Sequence, residues 1–466
     1  MRGNFITNLL QPKARLCAAM PAIMLLVAAP VYSSGSPDTL KVSLDRMISY
    51  ALKSSPRILA AESGVLEARG MKVASLAGNL PHVSVSEVFS RGNDPVFAFG
   101  SKLRQAGFRA MDFDLPRLNE PGPITNYATR VVVEQPIFSG GQSYYNRKVA
   151  DAVLTAARRS ADFTREQTVF DVRRSYYSSI LARESLAVID AAQAAASSHK
   201  HQAAQRLSAG MATRADELKA AVRVSELEQQ RIRAENAVTV AVEYLKLAAG
   251  WREDKDKFLY PAEKLAAPGF NTGLDSLVAF ALARHGSLAA AGSAAEAAGF
   301  AARAAVGEVI PHLNAFFQYQ SDSRRAFGSD GDNWMVGVVA DWKLFSGFGS
   351  IGKIKSSQAR REKARYELSL MRHKVEVEVR EAYLDTRAAA RRIEVAGQAT
   401  EQAGESLRIL ENQYREGLAT ITDLLDTELA ATNSRLSYVQ ALYEYNLALA
   451  RVSLVTGGFP IPAQVK

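Results

Sequence analysis

The sequence predicts a mixed α and β fold that is mostly helical and is built from two structural repeats. Three observations support this prediction. Short motifs recur at a constant distance along the chain, long stretches contain no proline, and runs of alternating apolar and polar residues precede those stretches. Long segments without proline favour helices, because proline breaks a helix interior. Alternation with a period of two favours half-buried strands.

The N-terminal segment has the pattern of a secretory signal peptide. Arg2, Lys13 and Arg15 are followed by the apolar run CAAMPAIMLLVAAP and then by small residues. This order predicts a signal peptide over residues 1–36. A membrane anchor is the alternative, although the apolar run is short for a membrane span. The only cysteine, Cys17, lies in this segment, so the mature chain would have no disulfides or thiol chemistry.

The charge and motif content argues against several functional classes. The net charge of +9 becomes +6 when the three basic residues of the signal segment are subtracted. Basic and acidic residues alternate along the presumed helices, which indicates solvated surfaces rather than nucleic-acid binding. The sequence contains no H-E-x-x-H, G-x-S-x-G or Walker phosphate-loop motif. We therefore predict no enzyme activity, no catalytic residue, no cofactor and no metal site.

An internal duplication organises the chain. The segment FSGGQS, which begins at Phe138, recurs as FSGFGS from Phe345, an offset of 207 residues (345 − 138). The segment GMATRAD from Gly210 recurs as GLATITD from Gly417 at the same offset. The duplication predicts a first repeat over residues 37–266 and a second over 267–466.

Each repeat is predicted to contain a helix, a β-hairpin and a long helical hairpin. In the first repeat these hairpins cover 82–138 and 141–250, and in the second they cover 312–345 and 350–457. The first β-hairpin carries extra residues rich in Gly, Pro, Asp and Asn around 90–123, which predict a long loop. The first helix of each helical hairpin would extend ~100 Å at ~1.5 Å per residue. Its apolar residues follow a mostly 3-4 spacing, as in a coiled coil.

The strand runs have the pattern of membrane strands. Trp334, Val336 and Val338 fall on one face, whereas Asp341 falls on the other with Glu134 of the first repeat. Such alternation is typical of an outer-membrane β-barrel, and a pair of ordinary half-buried hairpins is the alternative. Four strands cannot close a barrel, which needs at least about eight. Because lipid does not tolerate an open sheet edge, the barrel interpretation requires an oligomer.

The junction between strand and helix in the second repeat contains a G-x-G-x-x-G pattern at Gly347, Gly349 and Gly352. This pattern occurs in dinucleotide-binding turns. The equivalent positions of the first repeat include Gln142 and Tyr145, so the two junctions share Phe-Ser-Gly and not the phosphate loop. We interpret both junctions as hinges whose glycines supply unusual backbone angles. The hinge residues are Phe138, Gly140, Gly141, Phe345, Gly347 and Gly349.

The duplicated strand–FSG–helix junctions, the segment VREAYL and the segment EGLATITDLLDTEL resemble the TolC-like outer-membrane efflux proteins over residues 40–460. The resemblance implies a homotrimer in which three protomers form one twelve-stranded barrel in outer-membrane lipid. It implies an α-helical tunnel across the periplasm that meets an adaptor protein and an inner-membrane transporter. The implied function is a passive exit duct for efflux or type I secretion. A soluble, periplasmic coiled-coil adaptor is the alternative function.

The resemblance also implies an acidic constriction at the periplasmic entrance, formed by Asp423 and Asp426. Carboxylates that crowd one constriction favour cations. The alternative is that both are solvated acids on a helix surface. The tips of the helical hairpins match adaptor-docking positions, although their glycines would also cap helices. The tip residues are Gly210, Met211, Gly417 and Leu418.

A latch that holds the entrance closed is implied at Asp216 and Tyr414. The family has an arginine at a third latch position, where this sequence has Ala419. We therefore expect the closed state to be held differently, with Arg214 of the other turn as the candidate substitute.

Overall fold

The computed structural model describes residues 39–253 and 257–461, which are mostly helical with a few strands. The predicted signal peptide and Cys17 lie outside the described residues. The strands are β1 (Thr39–Val42), β2 (His82–Gly92), β3 (Ile124–Ser139), β4 (Phe258–Pro261), β5 (His312–Ser323) and β6 (Gly331–Asp341). The helices are α1 (Leu44–Ser54), α2 (Pro56–Ala74), α3 (Pro95–Arg104), α4 (Leu115–Asn119), α5 (Gln142–Ser208), α6 (Arg214–Ala249), α7 (Leu274–Arg284), α8 (Gly286–Val306), α9 (Gly349–Glu416) and α10 (Ile421–Val455).

Two long helical hairpins dominate the molecule. Helix α5 has 67 residues and α9 has 68, so each extends ~100 Å. These helices occupy the proline-free runs of the sequence, as predicted. Helix α5 packs against α6, α9 packs against α10, and α8 lies between α5 and α9. None of the helices in the described ranges is long and apolar enough to cross a membrane.

The largest apolar core lies midway along α5, where α1 and the C-terminal end of α6 pack against it. Tyr176 is fully buried there, and its hydroxyl donates to the Val42 carbonyl (2.9 Å) and accepts from the Ala262 amide (3.2 Å). These bonds hold the two-stranded parallel sheet of β1 and β4 against α5. The sequence analysis did not predict this sheet, because its two short strands lie far apart in the chain.

The other sheet is antiparallel and has the strand order β2-β3-β5-β6. Strand β3 contains Pro136, and its register with β5 shifts between Pro136 and Phe138. A bulge accommodates the proline, which cannot donate a ladder hydrogen bond. The outer edges of β2 and β6 have no strand partner within the described residues. One chain therefore presents an open sheet.

The register separates this sheet into an apolar face and a polar face, because paired residues point to the same side. Residues on the apolar face include Val83, Val85, Phe89, Val131, Val133, Leu313, Phe317, Trp334, Val336 and Val338. Residues on the polar face include His82, Ser84, Ser86, Asn126, Arg130, Glu134, Asn314, Gln318, Gln320, Asp322, Asn333 and Asp341. Trp334 is 70% exposed and Val338 is 63% exposed, so the apolar face is uncovered in a single chain. Glu134 and Asp341 share a face, as the sequence predicted.

The prediction of a long loop around 90–123 is wrong in part. This segment folds as helices α3 and α4 with a 3-10 turn between them (Ala110–Phe113). The residues that suggested a loop start a helix instead. The Asp94 side chain accepts a hydrogen bond from the Phe97 amide (2.8 Å), and Pro95 occupies the first turn. Aspartate at the N-cap followed by proline is a helix start signal.

Candidate functional site

The tips of the two helical hairpins have the same local structure. Gly210 and Gly417 adopt left-handed φ angles of 71° and 79°. The following amides, of Met211 and Leu418, each donate to a carbonyl five residues earlier (2.8 Å). This is the Schellman arrangement that ends a helix at glycine. Met211 is 73% exposed and Leu418 is 78% exposed, so each tip displays an uncovered apolar side chain.

Capping boxes begin the return helices α6 and α10. Asp216 Oδ2 accepts from the Thr213 amide (3.0 Å) and hydroxyl (2.8 Å). Asp423 Oδ2 accepts from the Thr420 amide (3.1 Å) and hydroxyl (2.6 Å). Hydrogen bonds from the backbone and side chain of these threonines lower the pKa of both aspartates. The structure therefore gives the candidate latch residue Asp216 and the candidate constriction residue Asp423 the same local role. The T-x-x-D pattern in the sequence could have identified it.

Asp426 lies one helical turn after Asp423 and lines a groove between α6 and α10. The groove has a volume of about 520 Å³ and a mostly apolar lining. Lys219 and Arg223 line the same groove, and Lys219 Nζ donates to Thr422 Oγ1 (3.0 Å) across it. The two acids thus share one end of α10, while Asp426 lies beside basic residues of the other hairpin.

Tyr414 is buried against the tip of the first hairpin, where its exposure is 4%. The Arg206 guanidinium lies 4.5 Å from its ring centroid, and Arg206 Nη2 donates to the Arg415 carbonyl (2.7 Å). Burial raises the pKa of the Tyr414 hydroxyl, the charge of Arg206 lowers it, and the charge of Asp216 raises it. Tyr414 therefore joins the two hairpins within one chain. Arg214, the candidate substitute for the missing arginine, pairs with Glu217 of its own helix.

Sequence reasoning missed a buried charged cluster above the tips. Glu428, Arg223 and His199 are 2%, 7% and 6% exposed. Burial raises the pKa of Glu428, the charge of Arg223 lowers it and that of Glu411 raises it, and the resulting pKa is about 7. Burial also lowers the pKa of His199. Glu428 occupies the buried stripe of α10 with Leu424 and Ala431, and this 3-4 spacing is the signal that could have revealed it.

The two strand-to-helix hinges bend in the same way. Gly140 and Gly141 have φ angles of 60° and 79°, and the equivalent Gly347 and Phe348 have 61° and 65°. The prediction for Gly349 is wrong, because it is the first residue of α9 and its φ is not left-handed. Phe348 supplies the left-handed conformation instead. Phe138 and Phe345 are 50% and 75% exposed at the two hinges.

A pair of serines closes each hinge. Ser139 Oγ accepts from the Ser143 amide (3.2 Å), and Ser346 Oγ accepts from the Ser350 amide (3.1 Å). The hydroxyls of each pair also bond, at 2.8 and 2.9 Å. The bonds from the Ser143 and Ser350 amides each satisfy a donor at the start of a helix, where no intrahelical partner exists. The repeated S-x-x-x-S spacing was a signal that sequence reasoning did not use.

The described residues contain no group of three or more His, Cys, Asp or Glu side chains that could hold a metal ion. The candidate functional features of the chain are the two tips, the groove between α6 and α10, the buried charged cluster, and the two bends between sheet and helix.

A known protein family matches most of this chain. Residues 47–251 and 277–458 match the sequence profile of the family described as outer membrane efflux protein. The outer membrane protein TolC of Vibrio cholerae is 22% identical over 397 residues, covering 80% of this chain and 90% of that protein. The alkaline protease secretion protein AprF of Pseudomonas aeruginosa is 23% identical over 418 residues, covering 87% and 82%. The crystal structure of VceC from Vibrio cholerae superposes with a TM-score of 0.75 at 18% identity, covering 89% and 96%.

Proposed function

Because the chain belongs to the outer membrane efflux protein family, we propose that it is the outer-membrane exit duct of a tripartite efflux or type I secretion system. The observation that carries this proposal is the open, two-faced sheet joined to helices ~100 Å long. The apolar face suits lipid, and the polar face suits a water-filled lumen. A soluble periplasmic adaptor would have no use for an uncovered apolar sheet face, and the family match favours the duct over that alternative.

The open sheet edges support a homotrimeric barrel. A spanning sheet must close, because unpaired amides and carbonyls are costly in lipid. Three copies of this four-stranded sheet give twelve strands, the number that the family resemblance implies. Equal helix starts support two repeats, since α9 begins 207 residues after α5 (349 − 142) and α10 begins 207 residues after α6 (421 − 214). The division into repeats at 37–266 and 267–466 is part of the same proposal.

The tips of the helical hairpins, at the end of the helices opposite the sheet, are the proposed site of contact with partner proteins. The exposed Met211 and Leu418 would contact a periplasmic adaptor, with Gly210 and Gly417 setting the shape of the tips. The adaptor would connect the duct to an inner-membrane transporter. The proposed transport through the duct is passive.

The entrance residues are proposed with distinct roles. In a trimer, Asp423 and Asp426 would place six carboxylates at one constriction and favour cations. Tyr414 would latch the second hairpin to the first through its contact with Arg206. Asp216 and Arg214 remain latch candidates, although the first caps α6 and the second pairs with Glu217.

Two adjacent valines test the barrel. Val338 lies on the apolar face and Val339 on the polar face. We expect Val338→Arg to reduce outer-membrane assembly strongly, because a charge facing lipid costs about 2–4 kcal/mol near the bilayer centre. Val339→Arg should assemble and alter conductance. Membrane fractionation, chemical cross-linking and planar-bilayer conductance measure this. A monomer without conductance, or equal assembly of the two variants, would contradict the barrel.

The constriction has its own test with a matched control. We expect the double variant Asp423→Ala, Asp426→Ala to lose cation selectivity and block by divalent cations in planar bilayers. Asp216→Ala removes the equivalent helix cap in the first hairpin but no constriction carboxylate, so it should retain cation selectivity and divalent block even if it alters the latch. Unchanged selectivity in the double variant would show that Asp423 and Asp426 do not form the constriction.

A further inference from the structure

The segment between β2 and β3 forms a folded unit, which we call the insert (residues 93–123). Phe99, Phe108 and Phe113 stack with ring centroids 4.7 and 5.0 Å apart. Lys102 Nζ donates to Asp112 Oδ1 (2.7 Å) and joins α3 to the following 3-10 turn. The insert is thus held together by its own aromatic cluster and a salt bridge.

Three contacts seat the insert on the polar face of the sheet. Gln105 Nε2 donates to Asn126 Oδ1 (2.8 Å), and Asn126 belongs to the polar face. A Cβ atom at Gly92 would lie 3.5 Å from the Phe97 ring. A Cβ atom at Gly331 would lie 2.2 Å from the Arg104 carbonyl, so the backbones approach too closely for any side chain. Gly92 and Gly331 both alternate onto the polar face.

The insert buries polar groups that belong to this face. Asn126 Nδ2 donates to Asp322 Oδ1 (2.6 Å), and Gln320 Nε2 donates to both oxygens of Asp322 (3.1 and 2.9 Å). Asp322 is fully buried, and Gln105 is 5% exposed. A connected network of this kind fixes the position of the groups it joins. The insert is therefore docked and not loosely draped over the sheet.

The side of α3 that faces away from the sheet is apolar and uncovered. Ala98 and Ser101 are buried, with exposures of 2% and 5%, on the side of the helix that carries the sheet-bonded Gln105. At 100° per residue, Val96 and Leu103 project from the opposite side of the helix, and they are 81% and 59% exposed. Phe113 and Leu115 of the insert are also exposed, at 63% and 71%.

We propose that the inserts of three copies meet on the barrel axis through these apolar side chains and close the mouth of the duct opposite the helices. This inference rests on the proposed trimeric barrel, in which the polar face lines the lumen. Twelve strands ~4.8 Å apart with a tilt of ~40° give a barrel radius of about 12 Å. A helix with its side chains is about 10–12 Å across. An insert seated on the wall therefore reaches the axis, where it would meet the other two inserts.

Single cysteines test the contact at the axis. In a Cys17→Ser background, Val96→Cys should form disulfide-linked protomers under mild oxidation. Phe327→Cys is the matched control, because Phe327 is 79% exposed at the same end of the sheet and its amide bonds to Glu87 of the apolar face (3.1 Å). It should stay monomeric on denaturing gels. Absence of the Val96→Cys disulfide in a preparation that forms channels would overturn the proposal.

Deletion tests the closure. Replacement of residues 95–119 by a short Gly-Ser linker should raise the single-channel conductance in planar bilayers severalfold and leave the assembly intact. An unchanged conductance would overturn the closed mouth while leaving the duct in place. If neither the full chain nor the deletion variant forms a trimer or a channel, the duct itself fails and the closure fails with it. The two failures are therefore distinguishable.

Discussion

The segments 138–216 and 345–423 contain the same sequence of hinge, long helix and tip, yet their residues are used differently at the two ends. At the tips the two segments agree atom for atom in their Schellman turns and capping boxes. At the hinges the backbone angles agree, but the surroundings do not. The first hinge packs closely against other backbone, whereas the second is open on the side where Gly347 would carry a Cβ atom. The same bend can thus depend on packing in one copy and on backbone angle alone in the other.

The largest difference between the copies should appear at the first glycine of each hinge. A Cβ atom at Gly140 would lie 2.5 Å from the Gly307 carbonyl, whereas one at Gly347 would meet no atom within 4 Å. We expect Gly140→Ala to destabilise the protein by about 3 kcal/mol, from left-handed strain and overpacking together. Gly347→Ala should cost about 1 kcal/mol. Thermal unfolding in detergent, followed by far-UV circular dichroism, measures both. Equal Tm values for the two variants would contradict the packing difference.

The buried cluster above the tips is the next difference, because Glu428 of the second copy and Arg223 of the first each have an uncharged counterpart in the other copy. Glu428 and Arg223 correspond at the 207-residue offset to Ala221 and Ala430. The folded pKa of Glu428, about 7, lies above its ordinary value of 4.5, so the folded chain binds more protons between these pH values. Stability from this group is fully present below pH 4.5 and is lost as the pH rises through 7.

Glu428→Gln should therefore be more stable than the wild type at pH 8, by up to about 3 kcal/mol, and should show a flatter dependence of Tm on pH between 5 and 8. Glu226→Gln is the control, because its carboxylate is 56% exposed beside the same Arg223. Its pH profile should match the wild type. If the dependence of Tm on pH in Glu428→Gln also matches the wild type, ionisation of Glu428 costs little free energy of folding, which would contradict its raised pKa.

The smallest effect should have opposite signs in the two copies. Phe348 is 70% exposed and holds a left-handed angle that glycine adopts without strain. Phe348→Gly should raise stability by less than about 1 kcal/mol, since relief of strain exceeds the added chain entropy only slightly. Gly141→Ala at the equivalent position should lower it by about 1 kcal/mol. Denaturant titration in detergent compares the pair. A loss of stability in both variants would mean that Phe348 contributes packing, through its contact with Phe345.

The features that the sequence predicted well are local. The proline-free runs define α5 and α9 because proline is the residue a helix interior excludes. The left-handed glycines at 210 and 417 end those helices because only glycine adopts the angle without strain. Alternation along Trp334, Val336 and Val338 defined the apolar face because the side-chain period of a strand is two.

Other features depended on contacts between residues distant in the chain. The sequence of the insert suggested a loop, whereas the structure has helices α3 and α4 there, and Gln105 joins this unit to Asn126 of the sheet. The pairing of β1 with β4 joins strands separated by more than 200 residues (258 − 42), which no local pattern encodes. Glutamate is usually a surface residue, and only the approach of α6 and α5 buries Glu428 beside Arg223.

The amino-acid sequence by itself determined where this chain bends, where its long helices begin and end, and which side of each strand is apolar, since backbone sterics and side-chain periodicity act within a few residues. The tertiary structure alone decided which of those bends is tightly packed, which acid is buried, and onto which face of the sheet the insert folds. Those outcomes depend on desolvation and close packing, and both arise only when segments far apart in the chain come into contact.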